Sequence, residues 1–275
     1  MMLRILALAF TGLMILTVPV AAQEDRPPVS QCQLIAQNLP KVMFANFTPK
    51  TSALPADFAE DVTISFLGHS TFLIESPGGV SIATDYNGWL RSPLRPDVVT
   101  MNKAHSSHFT LNPDPGIRHV LHGWADVPGE KVSHHLTLGD TYIRNVSTDI
   151  RSYGGFEENG NSIFIFEIAG LCIGHLGHLH HELTDAHYAE IGRLDIVMVP
   201  VDGGLTMGAQ SMSLVIQRLR SALILPMHRP GPPLASFLAM FDGKFDVSIS
   251  DSAAVTVSMR NLPDKPLILV LRGMM

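Results

Sequence analysis

The stretch Val62-Thr63-Ile64-Ser65-Phe66-Leu67-Gly68-His69-Ser70-Thr71-Phe72-Leu73-Ile74-Glu75 reads as two β-strands interrupted by Gly68-His69-Ser70. Pro77-Gly78-Gly79 then turns the chain into a further strand over Val80 to Thr84. Asp97 to Met101 is a short apolar run with β-branched residues, fitting a buried strand, and it delivers Lys103-Ala104-His105-Ser106-Ser107-His108 at its C-terminal end. Strands are expected next at His119 to Leu121, Val132 to Leu136, Thr141 to Val146 and Ser162 to Ile168. Beyond them the pattern changes. Leu171 to Gly174 is a strand ending in His175-Leu176-Gly177-His178-Leu179-His180-His181, and Thr184 to Ile191 reads as a helix capped by Thr184. Ile196 to Val201 ends at Asp202-Gly203-Gly204, Ala209 to Leu219 is amphipathic and helical, and Ala222 to Pro226 ends in Met227-His228. Strand and helix alternate in this half, so the chain is an α/β protein.

Residues 1–22 read as an export signal: a positive start at Met1 to Arg4, an apolar run from Ile5 to Val18, and small residues at Val20-Ala21-Ala22 before Gln23. The apolar run, about 14 residues, falls short of the roughly 20 that span a bilayer. The expectation is cleavage after Ala22 and a periplasmic or secreted product with no stable membrane span. Residues 23–61 form an N-terminal arm with a short helix around Cys32 to Leu39, and residues 62–275 form the single domain.

The net charge is -6 and Lys and Arg are scattered singly, which excludes a nucleic-acid surface and points to a small-molecule partner. There are two cysteines, Cys32 and Cys172. An oxidising compartment would permit a bridge between them, while the apolar run around Cys172 favours a buried, unpaired thiol. Histidine is the outlier, with 13 in the chain.

Three strands end in histidines: His105 and His108, His175 and His178, and His228. Strand-end loops on one sheet edge are where α/β folds place their sites, and imidazole is the commonest metal ligand. Isolated His119, His122, His134, His135 and His187 are read as core or surface residues.

These residues resemble the metallo-β-lactamase-fold hydrolases, in particular their lactonase-like branch. Gly68-His69-Ser70 between two strands, Ala83-Thr84-Asp85, His175-Leu176-Gly177, Leu194 to Gly204 and Leu225-Pro226-Met227-His228 match that branch in order. The resemblance implies an αβ/βα sandwich of two mixed β-sheets flanked by helices, with the site at one edge. It also exposes departures. The family's His-x-His-x-Asp-His motif reads here Lys103, His105, Ser107, His108, and His178 stands where a bridging Asp is expected.

What the resemblance then implies is one ion, zinc, bound by His108, His178 and His228, with His105 or His175 as an additional ligand. A protonated Lys103 would disfavour a second cation. Asp85 and Asp149 are candidates to brace ligands, and His69, Lys103 and Ser107 are candidates for catalysis or substrate contact. The expected function is an exported hydrolase of an ester, lactone or phosphoester acting through a metal-bound hydroxide. The alternative is a non-catalytic metal- or ligand-binding protein on the same fold. The substrate pocket is expected between the loops Tyr86 to Arg95, Asn112 to Gly116 and Tyr153 to Asn161.

Overall fold

The structure is a computed structural model that describes residues 29–33, 60–152, 155–229 and 234–274. The expected signal segment and most of the N-terminal arm lie outside the described residues. Among the described residues, fourteen strands form two sheets.

In the first sheet, β1 (Val62–Gly68), β2 (Thr71–Glu75), β3 (Ser81–Ala83), β4 (Val98–Met101) and β5 (His119–His122) lie side by side. A late strand, β13 (Ala254–Val257), pairs with β1 at the edge. β1 to β3 are antiparallel neighbours, whereas β3, β4 and β5 run parallel. The second sheet has the order β12 (Asp246–Ile249), β14 (Leu267–Val270), β11 (Leu223–Met227), β10 (Ile196–Pro200), β9 (Leu171–His175), β8 (Gly155–Ile168), β7 (Thr141–Ser152) and β6 (His135–Leu138). Its β6–β9 half is antiparallel and its β9–β12 half parallel. Both sheets are mixed, as the resemblance implies.

The core fills the space between them. Ile64, Phe72, Ile74 and Ile82 from the first sheet meet Phe164, Phe166, Ile173 and Val197 from the second, all fully buried. Because side chains alternate along a strand, Ala83, Val99 and Met101 face the other way. They form a second small core with Tyr86 and Ile117, under the loops that follow β3 and β5's approach.

Helix α1 (Asp185–Ile191) links β9 to β10 and α2 (Ala209–Leu219) links β10 to β11, as parallel crossovers require. Thr184 caps α1 by accepting from the His187 backbone N–H, while the His187 ring accepts from the Thr184 N–H. That is the structural role of His187. A five-residue helix, α3 (Leu234–Leu238), follows β11. Among the described residues no helix is long and apolar enough to cross a membrane.

Two expectations are corrected here. Cys172 is not a free thiol: it is bonded to Cys32, with the Cα atoms 5.9 Å apart. Ser30 and the Gln31 backbone N–H both reach the Glu167 carboxylate, and the Arg193 N–H donates to the Cys32 carbonyl, so residues 29–33 are seated on the second sheet and present Cys32 to β9. Burial of Cys172 therefore reflects its partner rather than its isolation. The expected pocket loops also separate: Tyr86, Leu90 and Leu94 close with Asp114 and Ile117 on a small cavity of about 230 Å³. Histidines 105, 178 and 180 instead line a cleft of about 590 Å³ with Lys103, Arg151, Glu157 and Leu205. Of the expected loops only Tyr153 to Asn161 reaches this cleft, through Glu157, because β7 and β8 continue past their expected ends into a long hairpin that carries Arg151 and Glu157 to the edge.

Candidate metal centre

Each sheet contributes histidines where its strands end at one edge. His69 sits in the turn between β1 and β2, and His105 and His108 follow β4. From the second sheet come His178, three residues past β9, and His228, directly after β11. The chain is bent to aim them: His69, Asp85 and His228 are non-glycine residues with positive φ, at 52°, 43° and 54°. Such backbone costs of order 1–3 kcal/mol per residue and persists where the surroundings enforce it. One enforcing contact is the His228 N–H donating to the His69 carbonyl at 2.7 Å, which ties the two sheets together.

Ligand atoms of His69, His105, His108 and His228 all lie within 4.8 Å of one another. His69 Nε2 is 3.2 Å from His108 Nε2, and His105 Nε2 is 3.3 Å from His228 Nε2. His178 lies outside that mutual group, yet its Nε2 is 3.2 Å from His105 Nε2. A tetrahedral zinc with Zn–N of about 2.0–2.1 Å has ligand–ligand edges of about 3.3 Å. The three closest pairs, at 3.2, 3.3 and 3.2 Å, have that length.

The outer nitrogens fix which atom faces inward. His108 Nδ1 is 2.5 Å from Asp85 Oδ2 and 3.1 Å from Ser70 Oγ, both buried. His228 Nδ1 lies 3.0 Å from Asp202 Oδ1; it is off the line of a good hydrogen bond, so this contact is chiefly electrostatic. The Asp85 contact holds the His108 proton on Nδ1 and so turns the Nε2 lone pair to the centre, and the Asp202 charge beside His228 Nδ1 favours the same tautomer there. Two imidazole lone pairs repel at 3.2 Å unless a proton or cation lies between them. A cation answers that requirement for the whole group at once.

Burial and crowding keep the rings neutral, which is the ligating form. His69 is lowered to about 3, His105 to about 4 and His178 to about 2, by burial first and then by the neighbouring histidines. Burial works against the Asp85 carboxylate, but the His108 ring, His175 and hydrogen bonds from His108 and Asn102 outweigh it and hold Asp85 well below the usual range. Asp202 is held down similarly, against its own burial, by His228, Thr206 and the Gly204 N–H.

The remaining candidates are placed as follows. His175 is drawn away from the centre: its Nε2 donates to the Ser70 carbonyl at 2.9 Å and its Nδ1 accepts from the Gly177 N–H at 3.1 Å. With both nitrogens engaged it has no atom for an ion, which corrects its expected ligand role. Asp149 braces no histidine; its carboxylate accepts from the Asn159 N–H at 3.0 Å and shapes the β7–β8 hairpin. Ser107 Oγ is 2.7 Å from His105 Nδ1, so it orients a ring of the cluster. Lys103 is 2.6 Å from Glu157, and its charge is matched there rather than directed at the histidines. Asp202 is not singled out from the sequence, where Asp202-Gly203-Gly204 reads as the end of a strand. His69, a candidate for catalysis or substrate contact, stands within the mutual ligand group.

Residues 63–228 match the family model of the β-lactamase superfamily domain. The chain belongs to the metallo-β-lactamase superfamily. A UPF0173 metal-dependent hydrolase of Thermococcus kodakarensis is 26% identical over 196 residues, covering 63% of this chain and 88% of that protein. The corresponding protein of Pyrococcus furiosus is 26% identical over 198 residues, covering 64% and 88%. Among solved structures, one from Thermotoga maritima described as a Zn-dependent hydrolase of the metallo-β-lactamase superfamily is 26% identical with a TM-score of 0.53, covering 76% of this chain and 98% of that one.

Proposed function

We propose that this superfamily member is an exported hydrolase that uses a single zinc ion to cleave an ester, a lactone or a phosphoester. The coarser statement, a metal-dependent hydrolase of the metallo-β-lactamase superfamily, rests on the matched family and its relatives. The observation that carries the finer reading is the composition of the cluster. Imidazoles alone make up the cluster: the ligand atoms of His69, His105, His108 and His228 lie within 4.8 Å of one another, His178 touches His105, and the carboxylates Asp85 and Asp202 stand behind His108 and His228.

Neutral imidazole donors suit zinc, and no carboxylate is in the mutual group to bridge two ions. Where the family motif would supply further ligands, Lys103 is paired with Glu157 and Ser107 with His105. Those contacts support one ion. When bound, zinc supplies a Lewis acid and an acidified water. The protein's own residues orient the donors, exclude bulk water from His108 and His228, and place a cleft of about 590 Å³ beside His105 and His178. Hydrolysis rather than passive binding is the reading that the relatives favour.

Export is supported by the Cys32–Cys172 bridge, because disulfides persist in oxidising compartments. Cleavage after Ala22 would leave Cys32 in the mature chain. The test is elemental analysis of untagged protein recovered from the exported fraction. One zinc per chain and an N-terminus at or near Gln23 are expected; two ions per chain, or an intact Met1, would overturn the respective part.

A further inference from the structure

The cleft beside the histidines contains a cation with no acidic partner among the described residues. Lys103 and Arg151 both line it, and Lys103 is neutralised by Glu157 at 2.6 Å. Arg151 makes no salt bridge among the described residues. One of its nitrogens, Nη2, donates to three backbone carbonyls, those of Gly204 at 3.2 Å, Leu205 at 3.1 Å and Thr206 at 2.8 Å. Nε and Nη1 have no protein acceptor among the described residues. The loop that grips Arg151 is itself fixed, since the Asp202 carboxylate accepts from the N–H groups of Gly204, Leu205 and Thr206. The guanidinium is therefore anchored by one corner to a loop that Asp202 also couples to His228.

We propose that Arg151 is a specificity-determining residue that binds an anionic group of the substrate, a carboxylate or a phosphate, while the scissile bond lies at the histidine cluster. With Nη2 held by the three carbonyls, Nη1 and Nε–H each offer a directed, charge-assisted donor to an oxygen of such an anion, whereas a lysine at this position would offer only a point charge. Orientation by the three carbonyls lowers the entropy lost when the anion docks. The charge balance agrees: Lys103 and Glu157 cancel, and Arg151 leaves the wall of the cleft positive next to the position of a cation. Phe109, Ala104 and Leu205 on the same cleft leave room for an apolar body between the two polar ends. The substrate class is thus an acidic ester or lactone, or a phosphorylated one, rather than a neutral acyl ester.

The proposal rests on the hydrolase reading, so two separate measurements test it. In the first, metal-free protein is titrated with phenylacetate and phenyl phosphate, and with neutral phenylacetamide, by calorimetry. The anions should bind at least about tenfold more tightly than the amide, and R151Q should lose about tenfold of that preference. In the second, zinc-loaded protein is given p-nitrophenyl monosuccinate and p-nitrophenyl butyrate. The succinate should be preferred through KM, and the anionic-to-neutral ratio of kcat/KM should fall about tenfold in R151Q and recover in part in R151K. Equal binding of anions and amide by the unaltered metal-free protein would overturn the assignment without recourse to any variant. So would an anion preference that survives in a folded R151Q. Hydrolysis of neither ester, with anion preference intact in the first measurement, would defeat the ester branch of the proposed function and leave Arg151 as an anion site.

Discussion

His108 and His228 are the residues whose outward nitrogens meet fully buried carboxylates, Asp85 and Asp202. A carboxylate behind an imidazole fixes its tautomer and raises its basicity, so D85N and D202N should each weaken zinc binding about 10- to 100-fold without removing a ligand. Competition with a fluorescent chelator measures this; wild-type affinity in D202N would mean that the 3.0 Å contact does not orient His228. H228A removes one of the proposed ligands and should abolish tight binding, whereas H187A, which alters only a helix cap, should leave the metal content unchanged. At this scale much was legible. His105, His108, His178 and His228 could be read as a group because each follows a strand on the same edge. His175 was misassigned for a physical reason: it is the last residue of β9, paired with Phe164 on β8 and Met198 on β10, so the strand carries its ring into hydrogen bonds with the backbone. Asp202 stayed hidden because its role depends on β11 lying beside β10, a long-range pairing that no local pattern announces.

Elements decide how firmly these residues are held. Gly177, between His175 and His178, has φ +61°, and a Cβ there would stand 2.4 Å from Asn102 Nδ2 and 2.6 Å from Asn161 Oδ1. Both asparagines are working parts: Asn102 donates to Asp85, and Asn161 accepts from the His178 N–H. G177A should therefore cost about 1–3 kcal/mol in folding and also lower zinc affinity, measured as a reduced urea midpoint and by chelator competition. The arm is the second such device, since the Cys32–Cys172 bridge closes a separation of 140 residues. C32S with C172S should destabilise the protein by about 2–5 kcal/mol. An unchanged urea midpoint in the double variant would mean that the arm contributes nothing beyond its contacts. The early strands and both crossover helices were readable from composition and caps. The β7–β8 hairpin ran further than expected because its outer residues are polar and turn-forming yet pair across the hairpin, as Ile150 does with Glu157 and Arg151 with Phe156. β12 was not read at all; all four of its residues are exposed, and only its pairing with β14 makes it a strand.

The whole molecule brings the two sheets together at the cluster, His69, His105 and His108 from one and His178 and His228 from the other. An ion bound there stabilises the sandwich as a unit, because the unfolded chain does not preserve the site. The sandwich itself was legible from the ordered strand-end motifs; its cleft was not, since that depends on how far the hairpin and the loop after β10 reach over the edge. Acid should find the cost of this arrangement. Metal-free protein keeps His69, His105, His178 and His180 neutral, their affinity for protons lowered to about 3, 4, 2 and 4, by burial foremost, then by neighbouring charges. His122 and His134, away from the cluster, are lowered in the same direction by burial. In the unfolded chain these imidazoles take up protons near 6.5. Between about 6.5 and 4 the unfolded state thus binds more protons than the folded one, so stability is full above that window and is lost as pH falls through it. Below it, Asp85 and Asp202, held under the usual carboxylate range, extend the loss as they too become protonated. The urea midpoint of metal-free protein should therefore drop steadily from pH 7.5 to pH 4.5, and zinc added at pH 7.5 should raise it. A metal-free midpoint that is flat across this range would show that the rings titrate in the folded protein as they do in the unfolded chain, and that the cluster is more open to water than its packing indicates.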